Sequence, residues 1–241
     1  MVVTLYICFA ASAFIIFWAM LGYPISLKLL SVIFRNRCLG KDYSYEPSVT
    51  VMVVAHNEER VIREKMENII GLDYPKDKME FLIVSDASTD KTNQIVDEFI
   101  RSHPEYPIRL YIAKNRKGKT NAQNEGQKTV TSEILIMTDA NSMLRSNAVT
   151  ELVASFTSED ISYVCGRLVI SNQRTSSVAE CENTYWSGDL VLREIESSIQ
   201  TITAGNGAIY ACRNSEYHDF PPIRSHDSAM PMHYALENKR A

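Results

Sequence analysis

The chain has 241 residues, 45% of them hydrophobic and 22% charged, which excludes a disordered chain and a low-complexity fibre. Its 25 Lys and Arg against 29 Asp and Glu give a formal charge of −4, so the basic excess of a nucleic-acid-binding surface is missing and no nucleic-acid partner is expected. The average conceals a split: residues 1–41 hold four basic residues (Lys28, Arg35, Arg37, Lys41) and no acid, which leaves a net −8 in residues 42–241.

The first element in chain order is an apolar run, Val2–Tyr23, in which Thr4 and Ser12 are the notably polar residues. A bilayer core about 30 Å thick needs roughly 20 apolar helical residues, and the run supplies them. A signal peptide would carry a basic start, and no Lys or Arg precedes the run; a core helix would show a polar face, and none is present. The reading is a single-pass membrane anchor. The basic collar that follows it puts the body in the cytoplasm by the positive-inside rule. Ile25–Phe34, interrupted by Lys28, reads as a continuation of the helix or an interfacial helix. Residues 1–41 thus form the anchor and collar, 42–48 a polar linker, and 49–241 the soluble domain. Five cysteines, odd in number and without a CxxC pair, argue against a disulfide framework or zinc site.

In the body, apolar β-branched runs alternate with segments of helical spacing. Strands are expected at Val49–Ala55, Phe81–Val84, Ile108–Ile112, Ile134–Met137 and Tyr163–Ile170. Helices are expected at Glu58–Ile70, Asp90–Ile100, Lys119–Val130, Asn147–Phe156 and, longer, Ser176–Ser198. Thr201–Ala211 reads as a strand or two around a glycine turn. This alternation implies βαβ units and a mostly parallel α/β sheet covered on both faces.

Ligands of open parallel sheets bind beyond the carboxyl ends of the strands. The segments after the first four strands are His56-Asn57-Glu58-Glu59, Ser85-Asp86-Ala87-Ser88-Thr89-Asp90, Lys114-Asn115-Arg116-Lys117-Gly118-Lys119-Thr120 and Thr138-Asp139-Ala140-Asn141. Helix capping accounts for Thr89 or Asp90. It does not account for Asp86 and Asp139, each directly at a strand end. A dinucleotide fold would place GxGxxG after the first strand, and a phosphate loop would need glycine where Ala113 stands. The pattern fits a nucleotide-sugar site: Asp86 to accept from a base N–H, Lys119 near a helix start for phosphate, and Asp139 to hold a divalent metal through oxygen.

These residues resemble family 2 glycosyltransferases, particularly the membrane-bound synthases of cellulose, hyaluronan, chitin and poly-N-acetylglucosamine. The resemblance lies in residues 47–59 (PSVTVMVVAHNEE), 85–90 (SDASTD), 118–126 (GKTNAQNEG), 138–141 (TDAN) and 204–213 (AGNGAIYACR), in the family's order, with Gly22-Tyr23-Pro24 as a further likeness. It implies a GT-A fold and inverting transfer of a hexosyl or N-acetylhexosaminyl group from a nucleotide-diphosphate donor, a UDP-sugar, to a hydroxyl of a glycan or lipid-linked acceptor in polysaccharide biosynthesis. It implies nucleotide-sugar contacts from Ala55, Asn57, Glu58, Asp86, Lys119 and Asp139, a Mg2+ or Mn2+ ion at Asp139 and Asn141, Asp227 as catalytic base, and possible synthase subunits as partners.

The chain departs from the pattern in three places. Asn141 stands where the second metal-binding acid is expected, and His226 where the first acid of an acidic pair is expected. The family pattern also runs on past residue 241 to a Gln-x-x-Arg-Trp motif and more membrane helices, so the domain is expected to be cut short. The alternative function is a non-catalytic nucleotide-sugar-binding remnant or partner subunit. Trp186 suits either a sugar platform or a core residue; Gly205 and Gly207 suit either close acceptor approach or a turn. A nucleotidyltransferase would carry a glycine-rich loop where His56–Glu59 stands.

Overall fold

A computed structural model describes residues 2–34, 40–167, 188 and 190–241. The chain divides into two compact units: Met1–Cys38 with Ile170–Ile202, and Leu39–Val169 with Thr203–Ala241.

In the first unit, Val2–Ile33 is one apolar helical run of 32 residues, long and apolar enough to cross a membrane. It comprises α1 (Val2–Phe17), a π-turn over Trp18–Gly22, and α2 (Tyr23–Ile33). The π-turn has a local cause. Pro24 has no N–H and its ring would clash with the carbonyl one turn back, so the helix widens just before it and the Tyr23 N–H reaches Trp18 O. Gly22 leaves room for the Trp18 ring, whose Cε3 would lie 2.6 Å from a Cβ at that position. The Tyr23 hydroxyl donates to the carboxylate of Glu196 on α7 (190–199). Most of the helix expected over Ser176–Ser198, Trp186 included, lies outside the described residues.

The second unit is built on β1 (Val49–Ala55), β2 (Met79–Ser85), β3 (Ile108–Ile112), β4 (Ile134–Asp139), β5 (Tyr163–Cys165) and β6 (Ile209–Arg213). The described sheet has the order β3-β2-β1-β4-β6-β5. β1, β2, β3 and β4 run parallel, with Val49 opposite both Met79 and Ile134. β6 runs antiparallel to both β4 and β5. Because Thr138 pairs with Ile209, the segment entering β6 arrives at the edge where the parallel strands end.

Both faces are covered, which is why the strands lack polar alternation. Val51, Val53, Phe81, Ile83, Ile134 and Ile136 pack in one core with residues of α3 (Ile62–Ile70), α4 (Thr92–Ser102) and α6 (Ala148–Val153). Alternate residues such as Met52 and Val84 face α5 (Lys119–Gln127) on the other side. There the helix approaches so closely that a Cβ on Gly126 would lie 2.6 Å from Val84 Cγ2 and 3.1 Å from Met52 Cε.

The expected strands and helices of residues 49–156 are present, with ends shifted by a few residues. β5 ends at Cys165, and residues 168–170 of the strand expected there lie outside the described residues. Thr201–Ala211 yields a single strand, β6, preceded by an irregular segment. Among the described residues, a 3-10 turn (Asn214–Glu216) and α8 (His226–Leu236), which carries Pro231 in its interior, were not anticipated. A proline inside a run reads as a helix stop, and here it is tolerated because the carbonyl it orphans finds another donor, described below.

Gly126→Ala should destabilise the fold by about 1–3 kcal/mol through overpacking. Gly71→Ala, where the nearest neighbour of a Cβ is a carbonyl oxygen at 3.5 Å, should change stability by much less. Urea unfolding of the chain in mild detergent, followed by circular dichroism, compares the two.

Candidate functional site

The polar segments after β1 and β2 are stitched together by their own backbones. Asn57 sits at φ 56°, a left-handed conformation that asparagine tolerates. Its Oδ1 accepts from the Thr89 N–H at 2.8 Å, and its own N–H donates to Ser88 Oγ at 3.1 Å. The Glu58 N–H donates to Thr92 Oγ1 at 2.8 Å, while Asp90 accepts from the Thr92 N–H at 3.0 Å and the Glu59 N–H at 3.1 Å. The helix cap is Lys91 rather than Thr89 or Asp90, with Asp90 one residue before it holding the N–H of the first helical residue, whereas Asn57 bridges to the next loop. Glu58 is half-buried at this edge. Ala55 faces the core, and its carbonyl accepts the Asp86 N–H at 2.9 Å.

Asp86 is 3% exposed. Its Oδ1 accepts from the Lys117 N–H at 3.1 Å and its Oδ2 from the Gly118 N–H at 2.9 Å. Gly118 has φ 93°, which a residue with a Cβ rarely adopts, and it delivers the chain straight into α5. The Asp86 carboxylate thus fastens the loop that sets where Lys119 begins its helix. Lys119 Nζ forms an ion pair with Asp139 Oδ1 at the end of β4; the two side chains are 40% and 33% exposed. Asn141, two residues on, is exposed.

Asp227 lies in the first turn of α8 rather than in a loop. Its Oδ1 accepts from the Ser225 hydroxyl and, at 3.0 Å, the Ser228 N–H. A side chain at Gly207 would place its first carbon 2.9 Å from Asp227 Oδ2 and 3.5 Å from Lys119 Nζ. Asp227 and Lys119 therefore border one space, kept open by the missing side chain at Gly207, and Asp139 joins them through its ion pair with Lys119. Gly205 is needed for a different reason: a Cβ there would sit 1.8 Å from the buried Tyr163 hydroxyl.

Two buried polar features were not foreseen in the sequence. Lys65 is fully buried on α3 and donates to Thr138 Oγ1 at 2.9 Å and to Ser142 O, while Thr138 Oγ1 donates to Ala208 O at 2.7 Å. Burial brings the Lys65 ammonium down to about 7, with the Asp139 carboxylate pulling the other way. Its signal was its place on the apolar face of α3, between Ile62 and Ile69.

The second feature is the polar face of α5. Thr120, Gln123, Asn124 and Gln127 recur at helical spacing. They bond respectively to Arg224 O at 2.7 Å, the Tyr210 hydroxyl at 2.8 Å, Phe220 O at 2.8 Å and Asn214 Oδ1 at 2.9 Å. Gln123 Oε1 also meets His226 Nδ1 at 2.6 Å, and His226 Nε2 lies 3.1 Å from the Tyr217 hydroxyl.

A profile of glycosyl transferase family 2 matches residues 50–214, and the chain belongs to that family. It is 28% identical over 193 residues to a beta-monoglucosyldiacylglycerol synthase of Nostoc sp., covering 79% of this chain and 40% of that protein. It is 35% identical over 117 residues to the probable glycosyltransferase YdaM of Bacillus subtilis, covering 47% of this chain and 27% of that protein. It therefore spans less than half of these curated relatives. Among solved structures, a mannosyltransferase from Pyrobaculum calidifontis in complex with GDP-Man and Mn2+ superposes with a TM-score of 0.78 at 26% identity, over 96% of this chain and 65% of its own. The α/β sheet is the GT-A fold.

Burial holds the His226 imidazole down at about 4. Because the unfolded chain takes up this proton near 6.5 and the folded chain near 4, the stabilising contribution is whole above pH 6.5. It is lost as pH falls towards 4, by up to about 3 kcal/mol. His226→Phe should flatten that part of the stability–pH curve, which unfolding midpoints between pH 7 and 4 measure.

Proposed function

We propose that this domain transfers a sugar, with inversion, from a nucleotide-diphosphate donor of the UDP type to a hydroxyl of a glycan or lipid-linked acceptor. The observation that carries this reading is the meeting of Asp227 and Lys119 beside Gly207, with Asp139 paired to the same lysine. The Pyrobaculum mannosyltransferase, with GDP-Man and Mn2+, supports a nucleotide-sugar donor, and the Nostoc glycolipid synthase supports a lipid acceptor.

In this reading Asn57, Glu58 and Asp86 serve the nucleoside. Each Asp86 oxygen already takes one backbone N–H and keeps lone-pair capacity for a base N–H. Lys119, in the first turn of α5, meets the diphosphate beside the helix N-terminus. The oxygens of Asp139 and Asn141 fit a Mg2+ or Mn2+ ion, since such sites often draw one or two protein oxygens and the rest from phosphate and water. Among the described residues there is no three-residue metal cluster, and a site of this kind does not require one. When bound, the ion supplies positive charge to the departing diphosphate.

Asp227 Oδ2, the oxygen not tied to Ser225 and Ser228, takes the acceptor hydroxyl proton. The acceptor oxygen bonds to the anomeric carbon from the face opposite the diphosphate, and the bond to the diphosphate oxygen breaks. Val2–Ile33 anchors the domain in a membrane, with the basic collar and the catalytic body on the cytoplasmic side.

Carbonate-washed membranes from cells expressing the chain should release UDP from a UDP-sugar. Asp227→Asn should lower that rate by about 10²–10⁴-fold while sparing nucleotide binding. Asp139→Ala should weaken nucleotide binding itself. Nucleotide bound without any release would mark the chain as a binding subunit, and activity found in the wash would remove the anchor.

A further inference from the structure

Asp227 is held by its neighbour as well as by its own contacts. His226 is 1% exposed and points inward from the residue before it. Its two ring nitrogens are both engaged, Nδ1 by Gln123 Oε1 at 2.6 Å and Nε2 by the Tyr217 hydroxyl at 3.1 Å. An amide oxygen accepts and does not donate, so Nδ1 carries the proton. The anchorage extends on both sides. Gln123 Nε2 donates to the Tyr210 hydroxyl at 2.8 Å on β6. With Nε2 an acceptor, the one Tyr217 O–H is shared between it and Asn124 Oδ1 at 2.8 Å, and Asn124 Nδ2 donates to Phe220 O at 2.8 Å. Gln123 is 2% exposed, so this chain of bonds runs through the interior.

The backbone at 227 is gripped as well. Pro231 has no N–H to give the carbonyl four residues earlier, which is that of Asp227. The Gly205 N–H takes that carbonyl instead, at 2.7 Å. Consecutive helical residues differ by about 100° in direction, so a small turn of His226 about the helix axis swings Asp227 by the same angle. Gln123 stands four residues after Lys119, one turn along the same face of α5. The bond from Gln123 to His226 therefore ties the helix that carries the site's cation to the helix that carries its carboxylate.

We infer that His226, clamped between Gln123 and Tyr217, is a positioning residue that fixes the direction of the Asp227 carboxylate relative to Lys119 for the proton-transfer step. It goes beyond the proposed reaction and rests on it, because it assumes Asp227 is the base. It also gives a role to the imidazole found where the family resemblance leads one to expect an acid.

The test is steady-state release of nucleotide from UDP-glucose, UDP-N-acetylglucosamine or GDP-mannose by the membrane-bound chain, alongside calorimetric binding of UDP or GDP. His226→Phe, which keeps the ring volume but loses both hydrogen bonds, should lower kcat about 10–100-fold, the scale expected of a misplaced catalytic group. The donor KM and the nucleotide affinity should stay within about twofold, because the diphosphate and nucleoside contacts are untouched. His226→Asn, which can still donate towards Gln123, should recover part of kcat. Gln123→Leu should reproduce the kcat loss, and the double variant should be no slower than either single one, as expected of residues acting as a unit.

Full kcat in His226→Phe or Gln123→Leu would overturn the positioning role. So would losses of kcat and nucleotide affinity in equal measure, or additive losses in the double variant. Asp227→Asn at the unsubstituted rate would instead overturn the base assignment beneath it. An inactive Asp227→Asn with a fully active His226→Phe would overturn the positioning role alone.

Discussion

The burial of α5 is the constraint on which the rest depends. Its sequence, KTNAQNEGQ, is mostly polar, yet Gly126 brings it against Val84 and Met52 closely enough that its inner half leaves water. A buried polar group without a partner costs about 1–3 kcal/mol, so Thr120, Gln123 and Asn124 oblige the chain over 210–226 to supply partners. That obligation seats the segment carrying Asp227. The start of the same helix is set by Asp86 through Gly118, and its first residue, Lys119, meets Asp139. One helix thus collects contributions from β2, β4 and α8.

Charge at this edge is arranged by burial as much as by pairing. Lys65 and Lys119 approach the end of β4 from opposite faces of the sheet. The first is buried and holds the turn at Ser142 and Thr138; the second is partly exposed and pairs with Asp139. The buried lysine stiffens the backbone around the carboxylate, and the exposed one can yield to a ligand because its ion pair is only partly desolvated. His226 follows the same logic with the sign removed. Kept neutral by burial, it accepts a fixed hydrogen-bonding position without adding a charge beside Asp227.

Much of this was legible before any coordinates. Strands buried on both faces have a plain apolar signature, and parallel strands deliver their following residues to one edge, so the placement of Asn57, Asp86, Lys119 and Asp139 at that edge was legible from the segments after each strand. What the sequence concealed was polar and buried. Lysine is a residue type mostly exposed, yet Lys65 sits between Ile62 and Ile69 on the inward face of its helix. The polar spacing within α5 carries no sign of burial, because nothing local announces that Gly126 lets the helix sink onto the sheet. α8 was hidden by Pro231, whose missing N–H is compensated by Gly205, a residue distant in sequence. Gly205 and Gly207 themselves turned out to make room for Tyr163 and for Asp227, which spacing alone does not reveal.

The central claim is that the edge bordered by Lys119, Asp139 and Asp227 receives a nucleotide diphosphate together with a divalent cation. Titrating UDP into the detergent-solubilised chain by calorimetry, with Mn2+ and then with EDTA, tests it most directly. The account predicts saturable heat with Mn2+ that is largely lost in EDTA. Absence of binding by both UDP and GDP with Mn2+ present would contradict it.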